Sequence, residues 1–321
     1  MKDSSTSRRD ALKALATTVG LAAMPGLSFA DTSNELLTEA IPKDKPAFTY
    51  CLNMSTIRGQ NLGFMKELEI AGKAGFHSVE IWSRTLQTYL DGGGKLADVS
   101  KLLKDLDITP ENSISFTQWI LEDETARGKA IDQLKKEMDM LAQIGCKRIA
   151  CPPSGAKRDG SDINLKATAE RFRVIADIGD SMGVHPLFEL QFGPPNLNHL
   201  GEALYVVTES GSPSAKLLLD VFHLYKGGSS IDTLNVVNPN VVEVLHMNDY
   251  PNIQRDVAKD SDRVYPGDGI APIPRILKTL KSPDRSLVLS LELFNQTYYA
   301  QDPLLVCQTG LAKLKAVSKD I

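Results

Sequence analysis

From Phe48 to the C-terminus, short runs of consecutive apolar residues alternate with longer segments in which apolar residues recur every three to four positions. The short runs suit strands buried on both faces, the longer segments suit amphipathic helices, and their alternation is that of a parallel sheet covered by helices. The strand candidates are Phe48 to Asn53, Ser78 to Trp82, Asn112 to Phe116, Arg148 to Pro152, His185 to Leu190, Lys216 to Asp220, Val241 to Met247 and Leu287 to Leu293. Between them the periodicity predicts helices over Phe64 to Ala74, Leu96 to Leu106, Arg127 to Ile144, Leu165 to Met182, Leu200 to Ser210, Ile273 to Lys281 and Leu304 to Lys319, with Ile231 to Val237 the weakest. Gly75, Gly145, Gly183 and Gly211 follow the last turns of four of them, where a positive φ is favoured. Eight strands with interleaved helices in about 270 residues predict an α/β fold, a single (β/α)8 TIM barrel over residues 47–321.

The longest connections follow strands, notably 153–164 after the fourth and 248–272 after the seventh, and barrels build their sites from loops on that side. Four side chains able to bind a metal recur near the ends of successive apolar runs: Glu189, Asp220, His246 and Glu292. Parallel strands ending at one rim would bring them together at the C-terminal ends of strands five to eight. Carboxylates buried there without a cation would repel one another, which a divalent metal resolves. The triplet Gly92-Gly93-Gly94 reads as a turn rather than a phosphate cradle.

The first thirty residues read differently. Ser7-Arg8-Arg9-Asp10-Ala11-Leu12-Lys13 precedes an apolar, small-residue stretch from Ala14 to Leu27, then Ser28-Phe29-Ala30 as a cleavage site. This resembles a twin-arginine export signal, departing from it at Ala11, where such signals often carry Phe. It implies the twin-arginine translocation machinery as a partner and a periplasmic or otherwise exported protein, with residues 31–46 as a linker to the barrel. Export in the folded state would let a metal be loaded in the cytoplasm. The four cysteines, Cys51, Cys146, Cys151 and Cys307, read as buried free thiols rather than disulfides or a zinc motif. A formal charge of -4 over 321 residues, with no long basic run, argues against nucleic acid as a partner and favours a small polar substrate. Self-association into a homo-oligomer stays open.

Leu219-Asp220-Val221-Phe222-His223, Leu245-His246-Met247-Asn248-Asp249, Arg263-Val264-Tyr265-Pro266-Gly267-Asp268-Gly269 and Leu291-Glu292-Leu293, taken in order, resemble the xylose isomerase-like barrels grouped as sugar phosphate isomerases and epimerases. Leu52 to Arg58 and Gly75 to Trp82 are similar to that superfamily's first two strands, so the resemblance spans the whole barrel. It implies that Glu189, Asp220, His246 and Glu292 bind one divalent cation (manganese, magnesium, cobalt or zinc). It further implies that Glu189 and Glu292 move the proton, and that His223 and Arg263 contact substrate oxygens. A proton beside a carbonyl is only weakly acidic; a cation bridging the carbonyl and a neighbouring hydroxyl would stabilise the enediolate, and two carboxylates on opposite faces permit inversion. The expected activity is isomerisation or epimerisation of a sugar, oxo-sugar or related polyol. A lyase or dehydratase using the same enolate and a noncatalytic carbohydrate-binding barrel are the alternatives.

Trp82 and Trp119 offer flat faces to a sugar ring, with packing as the competing role. Glu80 is expected to fix the barrel mouth by hydrogen bonds and Asp249 to hold a ligand or loop, while Gln191 points to substrate or caps the next loop. Lys157, Arg158 and Arg263 are the cations placed to meet an anion.

Overall fold

The computed structural model describes residues 46–321 apart from 157, 158, 160 and 194. The export signal, all but the last residue of the expected linker, and the two loop cations Lys157 and Arg158 lie outside the described residues.

Eight parallel strands close into one barrel in sequence order: β1 Phe48–Asn53, β2 Ser78–Trp82, β3 Thr109–Ile114, β4 Arg148–Cys151, β5 His185–Glu189, β6 Lys216–Asp220, β7 Val242–Met247 and β8 Leu287–Leu291. The α-helices are α1 Phe64–Ala74, α2 Ser83–Asp91, α3 Leu96–Asp105, α4 Glu124–Gln143, α5 Leu165–Met182, α6 Leu200–Glu209, α7 Val221–Gly227, α8 Ile273–Leu280, α9 Gln296–Tyr299 and α10 Pro303–Ser318. The expected elements are present, most within one or two residues of their expected ends. The third strand differs most: it starts at Thr109, because Thr109 and Pro110 pair with Ser78 and Val79 of β2, and the half-buried Glu111 is passed over where the register shifts. Ile231–Val236 is a 3-10 turn rather than a helix. Two short helices, α2 and α7, follow their strands with no intervening loop, and the triple-glycine stretch is the turn that separates α2 from α3.

Alternation along each strand decides what enters the barrel. Cys51, Ile114, Ala150, Leu187, Leu218, Val244 and Val288 form a compact apolar plug inside it. The intervening residues, among them Leu52, Val79, Phe188, Leu219, Leu245 and Leu289, point outward and pack under the helices in a second, much larger core. Because side chains repeat every two residues on one face, Glu189, Asp220 and His246 share the inward phase of Leu187, Leu218 and Val244. The period carries on from Val288 through Ser290 to Glu292, just past the end of β8. The pairing aligns them: Asp220 lies beside His246, and His246 beside Ser290. All four cysteines are free and buried, as expected.

Candidate active site

The apolar plug forms the floor, and above it a polar layer occupies the C-terminal mouth of the barrel. His246 is at its centre, fully buried. One edge of its ring belongs to Glu80, whose two carboxylate oxygens accept from Nε2 at 3.0 and 3.1 Å. Glu80 also accepts from Asn112 Nδ2 at 2.8 Å and from the Ser290 hydroxyl. Those donors, His246 above all, outweigh the effect of burial and hold Glu80 below the usual carboxylate range. With Nε2 committed to Glu80, Nδ1 is turned to the opposite side, where the remaining acids converge.

On that side Nδ1 lies 3.0 Å from Glu292 Oε2, 3.5 Å from Asp220 Oδ2 and 3.8 Å from Glu189 Oε1. Asp220, His246 and Glu292 each present one ligand atom within 4.8 Å of the others. Glu189 stands just outside that tight trio, and Gln191 donates to its Oε1 at 3.1 Å. Thus three of the four expected ligands meet closely and the fourth borders them. Arg263, which is buried, donates through Nη1 to both Asp220 Oδ2 at 2.8 Å and Glu292 Oε2 at 2.7 Å. Its Nη2 reaches Asp260 Oδ1 at 2.5 Å and His223 Nε2 at 3.3 Å, and the guanidinium lies over Phe222 and Phe294.

Four buried carboxylates face one guanidinium and one imidazole, so negative charge is in excess. The protein's response appears in the titration of its groups. Burial pushes Glu189 up to about 8, with His246 opposing and the neighbouring Glu292 adding to it. Burial also raises Glu292 against the pull of His246 and Arg263. Asp220 goes the other way: Arg263 and His223 overcome burial and hold it well below the ordinary range. Burial would lower His246, but Glu292 and Glu80 together lift it well above the usual histidine value. His223, by contrast, is pushed down by burial to about 4 and is neutral at pH 7.

The donor set fits a divalent cation. Nδ1 of His246 is buried without a hydrogen-bond partner, 3.0 Å from Glu292 Oε2 and 3.5 Å from Asp220 Oδ2, and Oε2 of Glu189 is likewise buried and unpartnered. Imidazole with carboxylate oxygens suits zinc, manganese or cobalt, and the oxygens alone suit magnesium. The Glu80–His246 bond fixes the ring and its tautomer, as a carboxylate behind a metal-ligating histidine does. A ligating imidazole is neutral, so the cluster exchanges the proton on His246 for the cation.

The other predicted residues divide. Trp82 lines the pocket and donates from Nε1 to Asn53 Oδ1 at 3.2 Å; Asn53 in turn donates to Glu292 Oε1 at 3.2 Å. His223, Arg263 and Gln191 also line it. Trp119 does not, which corrects its placement as a substrate contact. It is 0% exposed, packs tilted against Phe172 and edge-on to Phe188 behind the strands, and donates from Nε1 to Pro152 O at 2.9 Å. Its loop turns it back into the outer core, where its large apolar surface is removed from water. Asp249 touches no ligand: it accepts from the backbone N–H groups of Tyr250, Gly267 and Ala271 and so braces the loop after β7. That bracing explains the Pro-Gly-Asp-Gly stretch, since Gly267 adopts φ 89° and a Cβ on Gly269 would collide with Tyr250 O and Asp249.

Asn53, Asn112, Ser290, Asn248 and Asp260 were not anticipated as site residues. Asn53, Asn112 and Ser290 stand on strands at the inward phase, the one signal that could have exposed them. Asn248 donates to Asp220 Oδ2 at 3.2 Å. Phe116, Phe192 and Phe294 complete the lip of the pocket.

Known proteins share this sequence pattern and this fold. Inosose isomerase from Bacillus velezensis is 27% identical over 252 residues, covering 78% of this chain and 89% of that protein. A crystal structure of the IOLI protein with a bound zinc atom superposes with a TM-score of 0.77 at 23% identity, over 85% of this chain and 99% of that one. D-psicose 3-epimerase, solved in the presence of D-fructose, gives a TM-score of 0.69 at 19% identity, over 84% and 99%. The family model for the xylose isomerase-like TIM barrel matches residues 68–317. With an eight-stranded parallel barrel, a carboxylate and histidine cluster at its C-terminal mouth and a family match across most of its length, this chain belongs to the xylose isomerase-like TIM barrel family.

Proposed function

We propose that the protein is a divalent-metal-dependent isomerase or epimerase of an oxo-sugar or related polyol, with Glu189 and Glu292 as its proton-transfer pair. The observation that carries this reading is the pairing of two buried carboxylates around one histidine. Glu189 enters from β5 and Glu292 from the end of β8, with β6 and β7 between them, and both lie within 3.8 Å of His246 Nδ1. A carbohydrate-binding barrel has no use for two such acids placed on different sides of a polar pocket.

Asp220, His246 and Glu292, with Glu189 beside them, would hold the metal, and the zinc of the IOLI structure supports that assignment. When bound there, a divalent cation supplies Lewis-acid polarisation of a carbonyl and its neighbouring hydroxyl. Glu189 has a carboxylate oxygen free of protein partners and a raised proton affinity, which suits it to exchange a proton near neutral pH. Glu292 is held from both sides, by Asn53 on Oε1 and Arg263 on Oε2, and so keeps a fixed aim at the pocket. The neutral ring of His223 accepts from Arg263 at Nε2, and together they line the wall where substrate oxygens bind. Trp82 contributes the flat apolar face.

The test is incubation of the metal-loaded protein with a panel of ketoses and oxo-sugars in D2O. Solvent deuterium entering the carbon beside the carbonyl, with no loss of water from the product, supports the proposal. Its absence across the panel counts against it, and a product lighter by one water assigns the site to elimination instead. The first thirty residues support a further proposal, export by the twin-arginine route. Replacing Arg8 and Arg9 with lysine should then retain the precursor in the cytoplasm.

A further inference from the structure

The pocket is small but its lip is broad. Its cavity of about 210 Å3 is below the size of pockets that enclose drug-sized ligands, and the polar floor leaves room for about one six-membered polyol ring. Above that floor stand Trp82, Phe116, Phe192 and Phe294. Phe116 is 49% exposed, and its ring centroid lies 5.4 Å from that of Trp82.

This exposure is not slack in a loop. The residues on either side of Phe116 are buried: Ser115 N donates to Ala150 O at 3.0 Å, and Thr117 N donates to Ser115 Oγ at 3.2 Å. The backbone is therefore pinned to β4 while the ring is held outward. Trp82 is fixed by Asn53. The surface continues through Arg58, whose guanidinium lies 4.9 Å from the Trp82 ring centroid and 5.3 Å from that of Phe294. The 3-10 turn Met54–Gln60 that carries Arg58 is clamped as well: Thr56 Oγ1 donates to Leu291 O and Tyr299 Oη to Ser55 O, each at 2.8 Å. Single exposed aromatics are ordinary on protein surfaces. Here two aromatics and a guanidinium form one rigid shelf that adjoins a polar pocket sized for one ring.

We infer that the substrate extends beyond the metal pocket: an oxo-sugar ring on the polar floor carries, through a glycosidic oxygen, a second ring that lies on the Trp82–Phe116 shelf beside Arg58. A second ring presents the flat face that aromatic side chains stack on, and Arg58 offers donors to oxygens at its edge. A lone monosaccharide filling the floor leaves Phe116 unused. The inference rests on the oxo-sugar reading of the floor.

The chain contains two tryptophans, Trp82 on the shelf and Trp119 sealed in the core, so a fluorescence change on ligand binding reports Trp82. The probes are methyl and phenyl β-glucopyranoside, each oxidised to the ketone at one ring carbon, titrated into the full chain loaded with Mn2+. The phenyl compound should bind more tightly. Phe116→Ala should lower the phenyl-to-methyl affinity ratio about fivefold, the scale of one aromatic contact, and Phe116→Tyr should restore it. Equal affinities in the wild type, or an unchanged ratio in Phe116→Ala, overturn the shelf and leave the sugar reading standing. No fluorescence response to either compound overturns both.

Discussion

Glu80 makes no contact with the pocket, yet the geometry predicts that it controls metal binding through His246. The informative perturbation is Glu80→Gln. The amide keeps the size and shape of the side chain and can still accept from His246 Nε2 and Asn112 Nδ2, which both bond Oε1. The Ser290 hydroxyl, which now donates to Oε2, can turn to accept from the new NH2 group. Packing and the bonds on Oε1 therefore survive, while the charge and the longer contact from Nε2 to Oε2 at 3.1 Å are lost. The carboxylate that orients the ring and raises its basicity becomes a neutral acceptor, and charge-assisted bonds are about twice as strong as neutral ones. Glu80 is 0% exposed, so solvent screening does not soften the change. Losses of this kind behind a ligating histidine weaken metal binding about 10- to 100-fold, or about 1.4 to 2.7 kcal/mol. Isothermal titration of the metal-free protein with Mn2+ or Zn2+ should show that loss, with far-ultraviolet circular dichroism unchanged. A dissociation constant within about twofold of wild type would reduce Glu80 to a structural tie.

Trp119→Phe should leave kcat/KM unchanged while lowering stability by about 1 to 3 kcal/mol in urea denaturation, because Pro152 O loses its buried donor. Glu67, on α1, is pushed up to about 7 by burial, so its folded-state value exceeds its unfolded one. The associated stability is fully present below the unfolded carboxylate value and lost as pH rises towards 7, a change of up to about 3 kcal/mol. Glu67→Gln should remove that loss, and urea titrations of both proteins in acid and at mild alkaline pH measure the difference. Chelating the metal should lower the unfolding temperature, since cation at a hundredfold excess over its dissociation constant adds about 2.7 kcal/mol. A scan that does not respond to chelator would count against the metal site.

The barrel was legible because strands buried on both faces leave continuous apolar runs, and these recur eight times between helical periodicities. Glu189, Asp220 and His246 were legible for the same reason: each interrupts an apolar run at the inward phase, two residues beyond a member of the apolar plug. The ordered motif from Asp220 to Glu292 added Arg263 and His223, whose side chains the structure brings within 3.3 Å of one another. Trp119 and Phe116 show where this legibility stopped. They lie three residues apart on one loop, yet Trp119 turns into the outer core and Phe116 stands at the lip of the pocket. A loop has no period to say which side chain faces which way; bonds such as Trp119 Nε1 to Pro152 O decide it.

The number of strands, their alternation with helices and the metal-binding residue types at the strand ends are written locally in the chain, because apolar runs and helical periodicity involve only neighbouring residues. How those residues share their bonds depends on the closed barrel. It set Glu80 behind His246, and it tied Trp82 to Glu292 through Asn53. It also drew Arg263 from a loop into contact with Asp220 and Glu292. Each of these ties joins positions from about thirty to more than two hundred residues apart in sequence, and each exists because closing the barrel buries polar groups that must find partners away from water.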